Sequence, residues 1–164
     1  MIMNPAQTLT PVRSTPAAFP VIGKAGFIAG ILDILAACIS FMIKTGKNPV
    51  RVLEYVASGA FGKPALGGGT WYAVAGLLFH FLVAFIWATV FYYAWPVFRL
   101  LKNRLVMGVI YGILVWLVMN LVIVPLSNAP KGPFRWSGAI EGCLILIVCI
   151  GIPIAWIVGK NRGK

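Results

Sequence analysis

The chain has 164 residues, of which 60% are hydrophobic and 10% charged, against roughly 25% charged in an average soluble domain. Mean hydropathy is +0.93, and 14 Lys+Arg stand against 3 Asp+Glu, for a formal net charge of +11. Too few charges remain to coat a water-facing surface, which excludes a soluble globular domain. The apolar content excludes a disordered chain. A nucleic-acid partner is also excluded, because Lys and Arg punctuate apolar runs instead of covering a polar domain. The partner that composition does imply is a lipid bilayer.

Residues 1–18, rich in Pro, Thr and Ala, read as a mobile tail. Residues 19–160 read as one transmembrane domain, and 161–164 as a short basic tail. Four apolar runs, at 21–43, 71–95, 105–126 and 137–159, reach the length of about 20 residues that a helix needs to cross a bilayer. Trp71, Tyr72, Tyr93, Trp95, Trp136 and Trp156 stand at or near their ends, where aromatic interface anchors belong. The expected fold is therefore all-α: a polytopic four-helix membrane bundle.

An even number of spans puts both termini on one side. That side carries eight cations, including Lys24, Arg99, Lys102, Arg104 and Lys160. The other carries six: Lys44, Lys47, Arg51, Lys63, Lys131 and Arg135. The excess of positive charge on the inner side places both termini in the cytoplasm.

In the first span, Gly23, Gly26, Gly30, Asp33 and Ala37 share a face at spacings of 3, 4, 3 and 4. Small residues on a face let another helix approach closely, so Asp33 is expected in a helix–helix contact. Leu35-Ala36-Ala37-Cys38 matches a lipidation motif, but inside an apolar run interrupted by Asp33 it reads as a chance match. Cys38, Cys143 and Cys149 all fall within spans and read as small buried hydrophobes.

Between spans one and two, Asn48 and Pro49 make a helix start. Arg51, Glu54, Tyr55 and Ser58 follow at i, i+3, i+4, i+7, with Gly59 as the stop. Residues 49–58 are thus expected as a short amphipathic helix in the interface, either a plain connector or a lid. In span two, Gly76 and His80, the only histidine, share a face with Ala73, Ala84 and Trp87.

Span three carries Gly108, Gly112 and Asn120; span four opens with Glu141. Gly26–Leu35 and Gly108–Leu117 agree at six of ten positions, which suggests a parallel repeat of two helices plus two. Counted from the loop ends, Asp33 lies about 15 Å deep, His80 about 13 Å, Asn120 about 9 Å and Glu141 about 6 Å. Buried polar groups in a bilayer pair or line wet cavities. One polar cavity is therefore expected, narrowing from Glu141 down to Asp33 and His80, with Asn120 on its wall. The bland alternative is that Asp33 and His80 simply hydrogen-bond each other as helix glue.

Ala29-Gly30-Ile31-Leu32-Asp33, Pro49-x-Arg51-Val52-Leu53, Gly76-Leu77-Leu78-Phe79-His80-Phe81, Gly108-x-x-Tyr111-Gly112, Met119-Asn120 with Pro125-Leu126-Ser127, and Gly151-Ile152-Pro153 follow one another along the chain. In these segments the chain resembles a widespread group of small four-helix bacterial inner-membrane proteins of unknown function. The resemblance covers roughly residues 25–155. It implies a bacterial source, a multi-pass inner-membrane location and four helices, and it supplies no reaction. That group's pattern includes a further His in the last span, which this chain lacks, so a His-pair chemistry does not carry over.

Catalysis is not expected. The chain has no acidic cluster for a di-metal centre, one His for a haem that would need two ligands, and no nucleophile elbow. The spacing of Asp33, His80 and Glu141 carries no metal signature, so neither metal nor cofactor is expected. Two readings remain. One is a small transporter or channel-like protein working as a homodimer, with Asp33 and His80 handling protons or a solute. The other is an accessory subunit of a larger membrane complex, docking a partner membrane subunit through the Gly26/Gly30 and Gly108/Gly112 faces.

Overall fold

The structure, a computed structural model, describes residues 18–133 and 135–162. The tail expected at 1–18 and the end of the basic tail at 163–164 therefore lie almost wholly outside the described residues. Four helices are long and apolar enough to cross a membrane: α1 (Ala18–Thr45), α3 (Thr70–Leu101), α4 (Arg104–Leu126) and α5 (Trp136–Arg162). A shorter helix, α2 (Val50–Phe61), lies between α1 and α3. No strand occurs among the described residues. The chain has the all-α architecture of a multi-pass membrane protein.

Each spanning helix exceeds the expected run, the third by one residue only. Polar and aromatic ends extend the hydrogen-bonded ladder beyond the strictly apolar stretch. Two caps are local. The Asn48 side chain accepts from the Val50 N–H at 3.0 Å, and Asn103 accepts from the Leu105 N–H at 2.8 Å. Each satisfies an orphan donor of a helix start.

Glycines set the pairing. Gly26 and Gly30 of α1 lie against Phe85 and Phe81 of α3; a β-carbon at Gly30 would stand 2.9 Å from the Phe81 ring. Gly108 and Gly112 of α4 lie against α5, where β-carbons would stand 2.7 Å from the Ile152 Cα and 2.5 Å from the Ile147 Cα. Gly151 of α5 answers from the other side, against the Gly108 carbonyl and the Gly112 backbone. The two similar segments thus do the same job: each packs the first helix of a pair onto the second. The α1–α3 contact is glycine to phenylalanine, whereas the α4–α5 contact is backbone to backbone. Gly23, on the same stripe, meets nothing within 4 Å.

α4 and α5 each contain a five-residue π turn, Met119–Ile123 and Ile147–Gly151. Pro125 and Pro153 come two residues later. A helical proline clashes with the carbonyl four residues before it, here Leu121 and Cys149, and both lie inside the widened turns. The π turns take up the clash where a regular helix would kink.

The interior is uneven along the bundle. At the end holding Ala18, Arg162 and the α3–α4 turn, Phe91, Trp95, Met107, Tyr111, Val115, Ile154 and Val158 form a closed core. Phe91 and Tyr111 are fully buried with ring centroids 4.7 Å apart, and the Tyr111 hydroxyl donates to the Trp87 carbonyl. Arg162 closes this end, donating to the Tyr92 carbonyl at 2.7 Å and lying 4.4 Å from the centre of its ring. At the other end, beyond the level of Asp33 and His80, the buried hydrophobics among the described residues are alanines: Ala57, Ala65, Ala73, Ala75 and Ala129.

Candidate functional site: a mid-membrane pair and a mouth cavity

α2 determines what the alanine-rich end looks like. It crosses α3 at Gly76, where a β-carbon would collide with the Leu53 carbonyl and stand 3.2 Å from the Ala57 nitrogen. Its C-terminal carbonyls need partners, and Asn128 from the α4–α5 connection supplies two. The Asn128 backbone N–H donates to the Gly59 carbonyl at 3.0 Å, and its side-chain amide to the Ala60 carbonyl at 3.2 Å. α2 is therefore a strap that lies across α3 and is fastened at its C-terminal end.

This corrects two expectations. The helix does not stop at Gly59; it runs to Phe61, and Gly62 takes the positive φ of 72° that ends it. Nor does the polar stripe face water as a unit. Arg51 and Tyr55 are exposed, but Glu54 is 5% exposed and Ser58 fully buried. Their polar atoms are answered locally. Glu54 Oε2 accepts from the Gly67 N–H at 2.9 Å and lies 3.6 Å from Arg51 Nη1. The Ser58 hydroxyl donates to the Tyr55 carbonyl at 2.6 Å. Glu54 thereby ties the glycine-rich connector back onto the strap.

Asp33 and His80 come together at mid-bundle. Asp33 Oδ2 lies 4.0 Å from His80 Nδ1, and His80 Nε2 lies 2.8 Å from the Gly30 carbonyl. A carbonyl can only accept, so Nε2 carries a hydrogen. Nδ1 is then the nitrogen that faces the carboxylate. With both groups deprotonated, lone pair would face lone pair. One proton placed between them gives either an imidazolium–carboxylate pair or a neutral imidazole beside a carboxylic acid. At 4.0 Å the two groups are within ion-pair distance but beyond direct hydrogen-bond reach.

The pair lines a cavity of about 70 Å³ with Trp87, Val115, Met119, Leu146 and Ile150. At about 30 Å³ per water molecule, that is room for about two. Met119 and Ile150 belong to the two π turns, irregularities that recur at functional sites.

Glu141 occupies a different place. It accepts from the Ser40 hydroxyl and pairs with the Lys44 ammonium. All three line a cavity of about 740 Å³ between α1, α2, the connector and α5. Arg51 and Tyr55 line it too. The expected single cavity is thus two: a wide mouth with Glu141, and a small chamber with Asp33 and His80. They are one helical turn apart on α1, since Ala37 lines the first and Asp33 the second. Asn120 lines neither. It is exposed, and its amide donates to the Trp116 carbonyl one turn back at 2.9 Å. Met119, one residue earlier, does line the chamber, and one residue turns the helix by about 100°, so Asn120 points away from the inner face.

Lys44 is among the cations that the sequence puts on this side of the membrane, but neither it nor Ser40 is paired with Glu141 from the sequence. Their signal is present all the same: they continue the stripe Asp33, Ala37, Ser40, Lys44 at spacings of 4, 3 and 4. The π turns and the hydrogen bond of Tyr111 have no comparable sequence pattern. The Gly26, Gly30, Gly76, Gly108 and Gly112 faces all meet helices of the same chain, so none of the five is left open for a partner helix. Among the described residues no cluster of three or more His, Cys, Asp or Glu could hold a metal ion. No protein-family model, no curated protein and no solved structure matches this chain.

Proposed function

We propose that the protein is a small proton-handling transporter or channel-like protein of a bacterial inner membrane. One observation carries the reading: the only histidine and an aspartate face each other 4.0 Å apart beside a small mid-membrane chamber. Ionisable groups at that depth are costly, and where they occur they typically serve ion or proton pathways. The wide mouth one turn away gives the chamber a neighbouring aqueous vestibule. With both termini cytoplasmic, the mouth opens to the periplasm. A homodimer would widen the thin four-helix pathway. The accessory-subunit reading needs glycine faces free to dock partner helices, and those faces are occupied inside the chain.

The test is proton flux into proteoliposomes under an imposed potential, followed with an entrapped pH dye. Wild type should exceed empty liposomes, and Asp33→Asn and His80→Gln should each lower the flux by about tenfold or more. Equal flux for wild type and Asp33→Asn would sink the role of the pair.

A further inference from the structure

The mouth cavity has a chemistry of its own, distinct from the pair beneath it. Along α1 it runs from Lys44 down to Ala37, and along α5 from Gly138 down to Ile145. Seven steps of about 1.5 Å on each helix make it about 10 Å deep. Its wall is largely apolar, with Ala37, Phe41, Val52 and Ile145, of which Ala37 and Ile145 stand at the lower end. Its rim is cationic, with Lys44, Lys47 and Arg51. The carboxylate at this level, Glu141, is already engaged by Ser40 and Lys44. Arg51 shares its charge with Glu54. Lys47 is exposed, and no acidic group pairs with it among the described residues.

We propose that this cavity binds an amphipathic anion, with an apolar tail against the lower wall and one carboxylate or phosphate head at Lys47 and Arg51. The volume suits a small organic ligand, since such pockets run from about 300 to 1,000 Å³. A purely polar anion would leave the lower wall unfilled. A cation would meet the rim with like charge. A neutral apolar molecule would gain nothing from Lys47. The tail end of the bound molecule would lie one helical turn from Asp33, but binding needs no transport, so this site stands or falls independently of the proton pathway.

The experiment uses the full chain in nanodiscs of zwitterionic lipid and a photoreactive decanoate as probe. After illumination, labelled peptides are mapped by mass spectrometry. Labels should fall on 37–55 and 138–145. Excess decanoate should suppress them, while decanol and acetate at the same concentration should not. Lys47→Gln, an exposed and unpaired position, should weaken labelling about threefold, and Lys47→Gln/Arg51→Gln about tenfold. A variant that fills the lower wall, Ala37→Phe, should abolish labelling with the rim intact. Adding phosphatidylglycerol to the nanodiscs separates the sources. Suppression assigns the head to a lipid of the leaflet, and no suppression assigns it to a monomeric anion; either keeps the anionic amphiphile. Competition by decanol equal to that by decanoate, labelling unchanged in the Lys47→Gln/Arg51→Gln variant, or labels spread over the lipid-facing helices would overturn the proposal.

Discussion

The two ends of this bundle are made by the same four helices and yet differ in kind. At the end with Ala18 and Arg162, aromatic and branched side chains fill the space between helices, and Phe91, Tyr111, Ile154 and Val158 are fully buried. At the other end the buried hydrophobics are alanines, with Glu54 and Ser58 beside them, and about 740 Å³ stays open. Lipid is as apolar as leucine, so in a bilayer helices are held by contact quality more than by water exclusion. A half without bulky interior residues therefore holds together only if something else ties it. Here that is the strap: α2 lies across α3 at Gly76 and is fastened by Asn128 and by Glu54. One end supplies rigidity, the other supplies space, and Asp33 with His80 lies at the boundary.

The largest expected effect comes from emptying the closed end. Phe91→Ala removes a fully buried ring and should cost about 3 kcal/mol or more of bundle stability. Phe41→Ala, on the wall of the open cavity, should cost less than about 1 kcal/mol, because that side chain already borders empty space. Thermal unfolding in detergent measures both. Equal losses would show that the two ends are packed alike. A smaller effect separates hydrogen bonding from packing. Tyr111→Phe keeps the ring and removes its donor to the Trp87 carbonyl. The expected loss is about 1 kcal/mol, since one hydrogen bond is removed and the carbonyl keeps its helical partner.

Much of this contrast is legible in the sequence, and the limits are instructive. The spans come directly from apolar runs, and the start of α2 from Asn48 and Pro49. Depth along the helices is enough to bring Asp33 and His80 to one level, because a straight helix converts residue number into distance. Phase is less secure. Asn120 has the right depth, but it comes one residue after Met119, which lines the chamber, and one residue turns a helix by about 100°, so depth alone misplaces it. The strap departs from expectation for another reason. Arg51, Glu54, Tyr55 and Ser58 do share a face, but part of that face turns inward, because Glu54 finds the Gly67 N–H. Local periodicity reports which residues are neighbours, not which neighbour is water. The separation of mouth and chamber depends on how side chains from three helices meet, which no single segment encodes.

The smallest expected effect lies at the mouth, and it tests whether the open end is held by charge at all. Glu141 is partly exposed at 32%, and its partner Lys44 at 51%. Such a pair is screened by solvent and competes with the entropy of a long lysine chain. Glu141→Gln should therefore change stability by less than about 1 kcal/mol. The amide still accepts from Ser40, so the link between α1 and α5 survives in neutral form. What changes is the rim: Lys44 is released, and the cavity gains one net positive charge. Thermal unfolding of Glu141→Gln should stay near wild type, while labelling by the decanoate probe should rise. If instead the variant unfolds as readily as Phe91→Ala, the open end depends on its ion pair, and the strap is not what holds it.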